Sequence, residues 1–273
     1  MSENVSNSER PRYTHGHERA ALASHGARTA ASSAAYLLPE LRRGMDVLDL
    51  GCGPGTITLD LAEIVAPGVA VGVENVEAPL VAAREEAARR DDTRTRFEIG
   101  DATALPFDDD TFDVVHAHQV LQHLVDPVAA LREMIRVCRP GEWVAARDAD
   151  YAAMTWYPEL PGLDEWRRVY RAAARANGAE PDAARRLRSW AQAAGLQGVR
   201  YTASVWNYAD EETCRWWGDG QADRCLGASF TNQAAALGAG SDAVATIADA
   251  WRAWGAASDA WFAILHGEIL AHV

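Results

Sequence analysis

The chain has 273 residues, of which 48% are hydrophobic and 24% charged, a composition typical of a folded globular protein. Its 39 acidic and 26 basic residues give a formal net charge of -13, which argues against nucleic acid as a partner because such binding needs a basic surface. No apolar run approaches the length of a membrane span, and the N-terminus "MSENVSNSERPR" lacks the apolar stretch of a secretory signal.

The four cysteines indicate a reducing compartment. Cys52, Cys138, Cys214 and Cys225 form no C-x-x-C pair, and no Cys/His cluster has zinc spacing. Cys138 follows apolar residues at helical spacing, so we expect it in the core. The sequence therefore predicts a cytoplasmic protein with no metal site and no membrane span.

Up to residue 150, short apolar strands alternate with helices. Residues 1–12 are predicted to be a disordered tail, and the alanine-rich residues 13–44 a helical segment. Strands are predicted at 45–50, 69–74, 96–100, 114–118 and 142–149, with "RPG" at 139–141 as a turn before the last of them. Near-continuous apolar strands separated by helices indicate an α/β fold with a doubly wound, mostly parallel sheet.

The composition changes after residue 150, where nine of the ten tryptophans lie. Helices are predicted at 163–177, 182–194, 210–226 and 242–255, and strands at 199–206 and 260–265, which would complete a sheet of seven strands. We expect residues 151–273 to form a helical cap with an apolar pocket, although tryptophans are more often core. Trp216 and Trp217 are adjacent and cannot both face inward on one helix.

Three glycines follow the first strand, in the stretch "VLDLGCGPGTITLD" at 47–60. Ligands bind beyond the carboxyl ends of parallel strands, and glycine there tolerates positive φ and close approach of a ligand. Gly51, Gly53 and Gly55 are spaced G-x-G-x-G, whereas the dinucleotide fingerprint is G-x-G-x-x-G. Asp49, two residues earlier, would repel a pyrophosphate and suits a ligand with a cationic amine and sulfonium.

The segment D-x-G-C-G-x-G resembles motif I of the class I methyltransferases that use S-adenosylmethionine (SAM). The resemblance continues in order through Glu74, "GDATALPF" at 100–107, "FDVVHAHQVLQHLVDP" at 112–127 and "LREMIRVCRPGE" at 131–142. It covers residues 45–150 and is strongest for the subgroup that includes ubiquinone- and menaquinone-biosynthesis enzymes. It implies a Rossmann-like core at 45–150, SAM as cofactor, S-adenosylhomocysteine (SAH) as product and a small-molecule acceptor.

The resemblance also implies roles for particular residues. Glu74 would hold the ribose hydroxyls, while Asp101 and the backbone of Ala102 would contact adenine. Residues 13–37, within the predicted lid at 13–44, resemble the N-terminal segment that helps to close the cofactor pocket in related enzymes. Tyr13 and Arg28 are therefore candidates for the methionine end, with Arg28 pairing with its carboxylate. The remaining predicted cofactor contacts are Asp49, Gly51, Cys52, Gly53, Gly55, Asn75, His118 and Gln119.

Each of these residues has a structural alternative. Glu74 could be an acid at a helix N-terminus, Asp101 could form an Asx-turn, and Arg28 could equally be a surface residue of a helix. A histidine is most often a surface or hydrogen-bonded core residue. His123 and His15 nevertheless lead as candidates for a catalytic base.

The predicted function is in-line methyl transfer to a small aromatic or apolar metabolite through an oxygen, nitrogen or carbon atom. Because the sulfonium is already activated, the protein would supply mainly proximity and alignment. Two alternatives stay open: a SAM-binding sensor or accessory subunit without catalysis, and an NAD-dependent oxidoreductase. A homodimer is also an open alternative.

Overall fold

The computed structural model describes Gly26 and residues 28–273. The predicted tail at 1–12 and the first part of the predicted lid lie outside the described residues, as do Tyr13 and His15. One mixed sheet contains the strands β1 (Val47–Leu50), β2 (Ala70–Glu74), β3 (Arg96–Ile99), β4 (Phe112–His118), β5 (Cys138–Ala149), β6 (Thr155–Tyr157), β7 (Arg200–Tyr208) and β8 (Trp261–His272). Their order is β3-β2-β1-β4-β5-β8-β6, and β7 pairs with the edge of β8 that faces away from β5 and β6.

The helices lie between these strands in the chain. The described helices are α1 (Ala30–Ser33), α2 (Thr56–Val65), α3 (Glu77–Arg89), α4 (Pro127–Val137), α5 (Pro161–Ala176), α6 (Leu187–Ala194), α7 (Glu211–Leu226), α8 (Ala228–Ala236) and α9 (Ser241–Gly255). Within residues 28–273, no helix has the length and apolar character needed to cross a membrane.

Strands β1 to β5 form the parallel half that the sequence predicts. β1 pairs in parallel with β2 on one side and β4 on the other, so the strand order reverses between β1 and β4. Leu48, Val71 and Val115 are fully buried in this half, as near-continuous apolar strands require. The crevice at the carboxyl ends of β1 and β4 is where such a sheet binds ligands.

The fifth strand differs from its prediction because "RPG" is not a turn. β5 begins at Cys138, which pairs with Phe112 of β4 across a register shift. The Arg139 guanidinium lies 2.6 Å from the Asp113 carboxylate, which holds this segment extended along β4. Gly141, at φ +82°, absorbs the irregularity.

The second half of the chain adds antiparallel strands, so the sheet has eight strands rather than seven. The additional strand is the short β6, and β8 extends to His272, well beyond the predicted end at 265. Gly267 and Glu268 interrupt the apolar pattern of β8, which hid its length. Helix α8 was also missed because its sequence, ASFTNQAAA, lacks a clear apolar face.

The tryptophans of this half form a core of their own. Trp251 and Trp254 are fully buried, and the Trp166 and Trp251 rings meet edge to face with centroids 4.9 Å apart. Phe262 of β8 packs against both buried tryptophans. Five of the nine tryptophans in this half are buried, as the structural alternative proposed. Four tryptophans, two of them buried, line a cavity: Trp166, Trp206, Trp216 and Trp217.

Candidate active site

The turn after β1 has the geometry of a ligand cradle. The backbone N–H groups of Gly51 and Cys52 both donate to the carbonyl of Val73, at 2.8 and 3.1 Å, which ties the turn to β2. Gly51 has φ +66° and a Cβ there would overlap Val120, whereas Gly53 has φ +55° with no heavy atom within 4 Å of an added Cβ. The turn is thus closed at Gly51 and open at Gly53.

A cavity of about 370 Å³ lies against this turn, at the carboxyl ends of β1, β2 and β4. Its volume falls in the range of small-molecule sites. The predicted site residues that line it are Arg28, Asp49, Gly51, Cys52, Gly53, Glu74, Asn75, Asp101, Ala102, His118, Gln119 and His123. Residues predicted from separate motifs are therefore brought together around one cavity.

Gly55 is the exception among the described candidates. It precedes α2 as its N-cap with φ +75°, and a Cβ there would lie 2.8 Å from the Phe97 ring and 2.9 Å from Ala83. It does not line the cavity. This glycine lets α2 pack closely against its neighbours, and its predicted contact with the cofactor stays a prediction.

Glu74 is held at the mouth of the turn. Its carboxylate accepts hydrogen bonds from the backbone N–H of Gly53 at 2.9 Å and of Asn75 at 3.3 Å. Burial raises the pKa of Glu74. The described lining of the cavity is acidic, with one arginine, Arg28, against four carboxylates, those of Asp49, Glu74, Asp101 and Asp126.

Asp49 and Asp101, like Glu74, have partners inside the protein. Asp49 is buried, with its oxygens 2.8 Å from His116 Nδ1 and 2.5 Å from the Thr58 hydroxyl that donates to it. Asp101 accepts from the backbone N–H and the hydroxyl of Thr103 at 2.8 and 2.7 Å. This is the Asx-turn that was the alternative for Asp101, and its hydrogen bonds lower the pKa of the carboxyl.

The histidines at the cavity are neutral at physiological pH. Burial lowers the pKa of His123 to about 3, which makes its ring a weak base. Burial, reinforced by Arg28 and Arg147, lowers the pKa of His118 well below its usual value. His118 is 5% exposed, and neither of its ring nitrogens has a hydrogen-bond partner among the described residues.

Gln119 joins the cavity to the second half of the chain through a directed series of hydrogen bonds. Burial lowers the pKa of His266, so its Nδ1–H donates to the Ile264 carbonyl at 3.1 Å and its Nε2 is left as an acceptor. The Gln119 amide donates to that Nε2 at 2.7 Å, and its Oε1 accepts from the Arg28 guanidinium at 2.9 Å. The amide orientation of Gln119 is thereby fixed.

A second, narrower cavity of about 40 Å³ adjoins Gln119, and we call it the aromatic chamber. Arg28 and Gln119 line both spaces. The described lining of the chamber contains two arginines and no acid. Its main side chains are Arg28, Gln119, Tyr151, Trp166, Tyr170, Trp206, Trp217, Arg224 and Phe230.

The sequence predicted an apolar pocket in the cap but not the chamber's charged residues. Trp217, Gln221 and Arg224 follow helical spacing on α7, so the face that carries Trp217 also carries an arginine, and this signal could have been found. Arg147 lies in the buried part of β5 and is 1% exposed. Its guanidinium lies 4.9 Å from the Trp206 ring centroid.

Comparison with known proteins agrees with this geometry. A family model described as a methyltransferase domain matches residues 41–198. An uncharacterized methyltransferase of Schizosaccharomyces pombe is 38% identical over 215 residues, covering 75% of this chain and 76% of that protein. A probable methyltransferase of Aspergillus luteorubrus is 29% identical over 279 residues, covering 95% of this chain and 96% of its own.

Among solved structures, the YcgJ protein of Bacillus subtilis superposes with a TM-score of 0.55 at 22% identity, covering 86% of this chain and 96% of its own. At that identity the likeness shows the fold alone. The family model, in contrast, spans more than half of the sequence, and the yeast relative covers three quarters of it. The chain therefore belongs to the class I, SAM-dependent methyltransferases that act on small molecules.

Proposed function

We propose that the protein binds SAM in the acidic cavity and transfers its methyl group to a small aromatic metabolite that enters the aromatic chamber. The observation that carries this proposal is the opening of the turn at Gly53 directly beside the Glu74 carboxylate. Bound SAM supplies a methyl group that its sulfonium has already activated. The chain's own residues then have to bind and align the two reactants and to exclude water.

The charges of the cavity fit this cofactor better than a dinucleotide. The Glu74 carboxylate can accept two vicinal hydroxyls of a ribose. The acidic lining attracts a ligand that carries an amine and a sulfonium, and it opposes a pyrophosphate. Arg28 is the one arginine in the described lining of the cavity, and it would bind the carboxylate of the methionine moiety.

The acceptor would meet the cofactor at Gln119. Arg28 and Gln119 line both spaces, so a ligand in the chamber approaches the cavity at this point. The stacked rings of Tyr151 and Tyr170, 4.3 Å apart at 19°, offer an apolar wall for a flat molecule. Rate enhancement would come mainly from proximity, because His123 is a weak base.

The test is calorimetric titration of SAH into the wild type, Glu74→Gln and a matched control, Glu85→Gln. Glu85 is exposed on α3, so its substitution makes the same charge change away from the cavity. We expect Glu74→Gln to weaken SAH binding by about 10- to 100-fold, because a hydrogen bond to a charged group contributes about 1.5–3 kcal/mol. Equal affinities for all three proteins would contradict the proposed cofactor site.

Three further expectations remain proposals. The four cysteines are buried thiols without disulfides, which supports the cytoplasmic setting. Trp216 is 41% exposed and would serve a homodimer interface. The division into a lid at 13–44, a core at 45–150 and a cap at 151–273 would be tested by limited proteolysis. It should cut first near the exposed boundary at 42–44 and spare the buried boundary at Asp150 and Tyr151.

A further inference from the structure

His118 is a buried polar side chain whose partner is missing from the described protein. It is 5% exposed, and both Nδ1 and Nε2 lack hydrogen-bond partners among the described residues. Leaving a buried polar group unsatisfied costs about 1–3 kcal/mol. Its ring lines the proposed cofactor cavity, so a ligand can supply the missing hydrogen bond.

His118 lies where the cavity meets the aromatic chamber. It is the last residue of β4 and directly precedes Gln119, which lines both spaces. The His118 ring centroid is 5.4 Å from that of Trp206, a chamber residue. A group bound to His118 would therefore belong to a molecule whose body lies toward the chamber.

Two arginines act on His118. Burial lowers the pKa of His118, and the nearby guanidinium groups of Arg28 and Arg147 lower it further. Arg147 is partly balanced by Glu268, 3.3 Å away. The field that disfavours a proton on His118 also stabilises an anion beside it.

From these observations we propose, on the basis of the proposed function, that the acceptor is a phenol bound as its phenolate, with the oxygen hydrogen-bonded to the His118 ring. The phenolic proton leaves to solvent on binding. The oxygen then forms a bond to the methyl carbon, the bond between that carbon and sulfur breaks, and its electron pair stays on sulfur. The products are an aryl methyl ether and SAH.

The aromatic lining of the chamber favours a flat acceptor. Its volume of about 40 Å³ is smaller than the roughly 150 Å³ engineered cavity that binds benzene, so a ring must displace side chains to enter. A groove of about 500 Å³ adjoins the chamber at Arg28, Trp206 and Trp217, which gives those side chains room. An amine acceptor would meet the arginines as a cation and be repelled.

The experiment uses a nitrophenol whose ionised form absorbs visible light, titrated into the protein saturated with SAH. We expect the wild type to bind it as the phenolate at a pH where most of it is protonated in solution. The methyl ether of the same nitrophenol should bind at least about tenfold more weakly, because it cannot ionise. This readout does not depend on turnover.

The variants are His118→Phe and His118→Gln, with His272→Gln as the matched control. His272 is exposed at the end of β8, far along the strand from the site. We expect both His118 variants to bind nitrophenol about tenfold more weakly while their SAH affinity stays within about twofold of the wild type. His118→Phe should melt no lower than the wild type, because it removes unpartnered polar atoms. If His118→Phe fails to fold, His118→Gln still allows the test.

Three results would overturn the inference. Nitrophenol could bind His118→Phe and the wild type equally, or it could bind in its protonated form. SAH affinity could instead fall in both His118 variants, which would make His118 a cofactor residue, as the sequence predicted. A wild type that binds no SAH would instead contradict the proposed function, so the two failures are distinguishable.

Discussion

The cofactor cavity and the aromatic chamber meet at Gln119 but are built in opposite ways. The cavity is made mostly of turns that follow successive parallel strands, and its described lining has four carboxylates and one arginine. The chamber collects residues from Arg28 to Ile264, and its described lining has two arginines and no acid. Under the proposed function, one side would suit a cationic donor and the other an anionic acceptor, and this contrast would orient the reactants.

The largest expected effect tests whether the second half is a core in its own right. Trp251→Ala should lower the free energy of unfolding by about 3–5 kcal/mol, because Trp251 is fully buried against Trp166 and Phe262. Trp216→Ala, at 41% exposure, should cost less than about 1 kcal/mol. Urea denaturation measures both values, and equal losses would show that the tryptophans do not divide into core and surface.

The next prediction tests the cradle of the cavity. Gly53→Ala should lower the free energy of unfolding by about 1–2 kcal/mol, the strain of a left-handed backbone. No further loss is expected, because no heavy atom lies within 4 Å of its added Cβ. Gly51→Ala should cost about 1–3 kcal/mol more, since its Cβ would overlap Val120. If the two variants unfold at the same denaturant concentration, the turn is not closed on one side as described.

The last prediction concerns the pH dependence of stability and Asp148, at the seam between the halves. Asp148 accepts from the Gln122 backbone N–H at 3.2 Å, and burial raises the pKa of its carboxyl from 3.8 to about 8. The unfolded chain loses this proton near the ordinary pKa while the folded protein keeps it. The free energy of unfolding therefore falls as pH rises through this interval and levels off above about 8.

Asp148→Asn has no proton to lose, so its stability relative to the wild type should increase between about pH 4 and pH 8, by at most about 1.4 kcal/mol per pH unit. Denaturation at several pH values in this range measures the difference. A constant difference would show that the Asp148 carboxyl is ionised in the folded protein at neutral pH.

The sequence predicted the cavity far better than the chamber, for a physical reason. A turn such as Gly51–Gly53 is a local arrangement of backbone, and parallel strands place the residues after them, such as Glu74 and Asp101, at one edge. The structure confirms this fold class. The packing role of Gly55 was not predicted, because a glycine needed for packing against Phe97 looks, in sequence, like one needed for a ligand.

The chamber depends on contacts between distant parts of the chain. Trp206 and Arg224 come from separate elements, and no local pattern states that they face Gln119. The length of β8 was hidden because Glu268, which looks like a loop residue, is buried against Arg147. His118 has no hydrogen-bond partner among the described residues, and no local pattern in the sequence indicates this.

The most direct test of the account is a parallel calorimetric titration of the wild-type protein with SAM, SAH and NAD. The acidic cavity and the G-x-G-x-G turn predict that SAM and SAH bind and that NAD does not. Binding of NAD without binding of SAM or SAH would contradict the central claim. It would mean that the carboxylates around the Gly51–Gly53 turn tolerate a pyrophosphate.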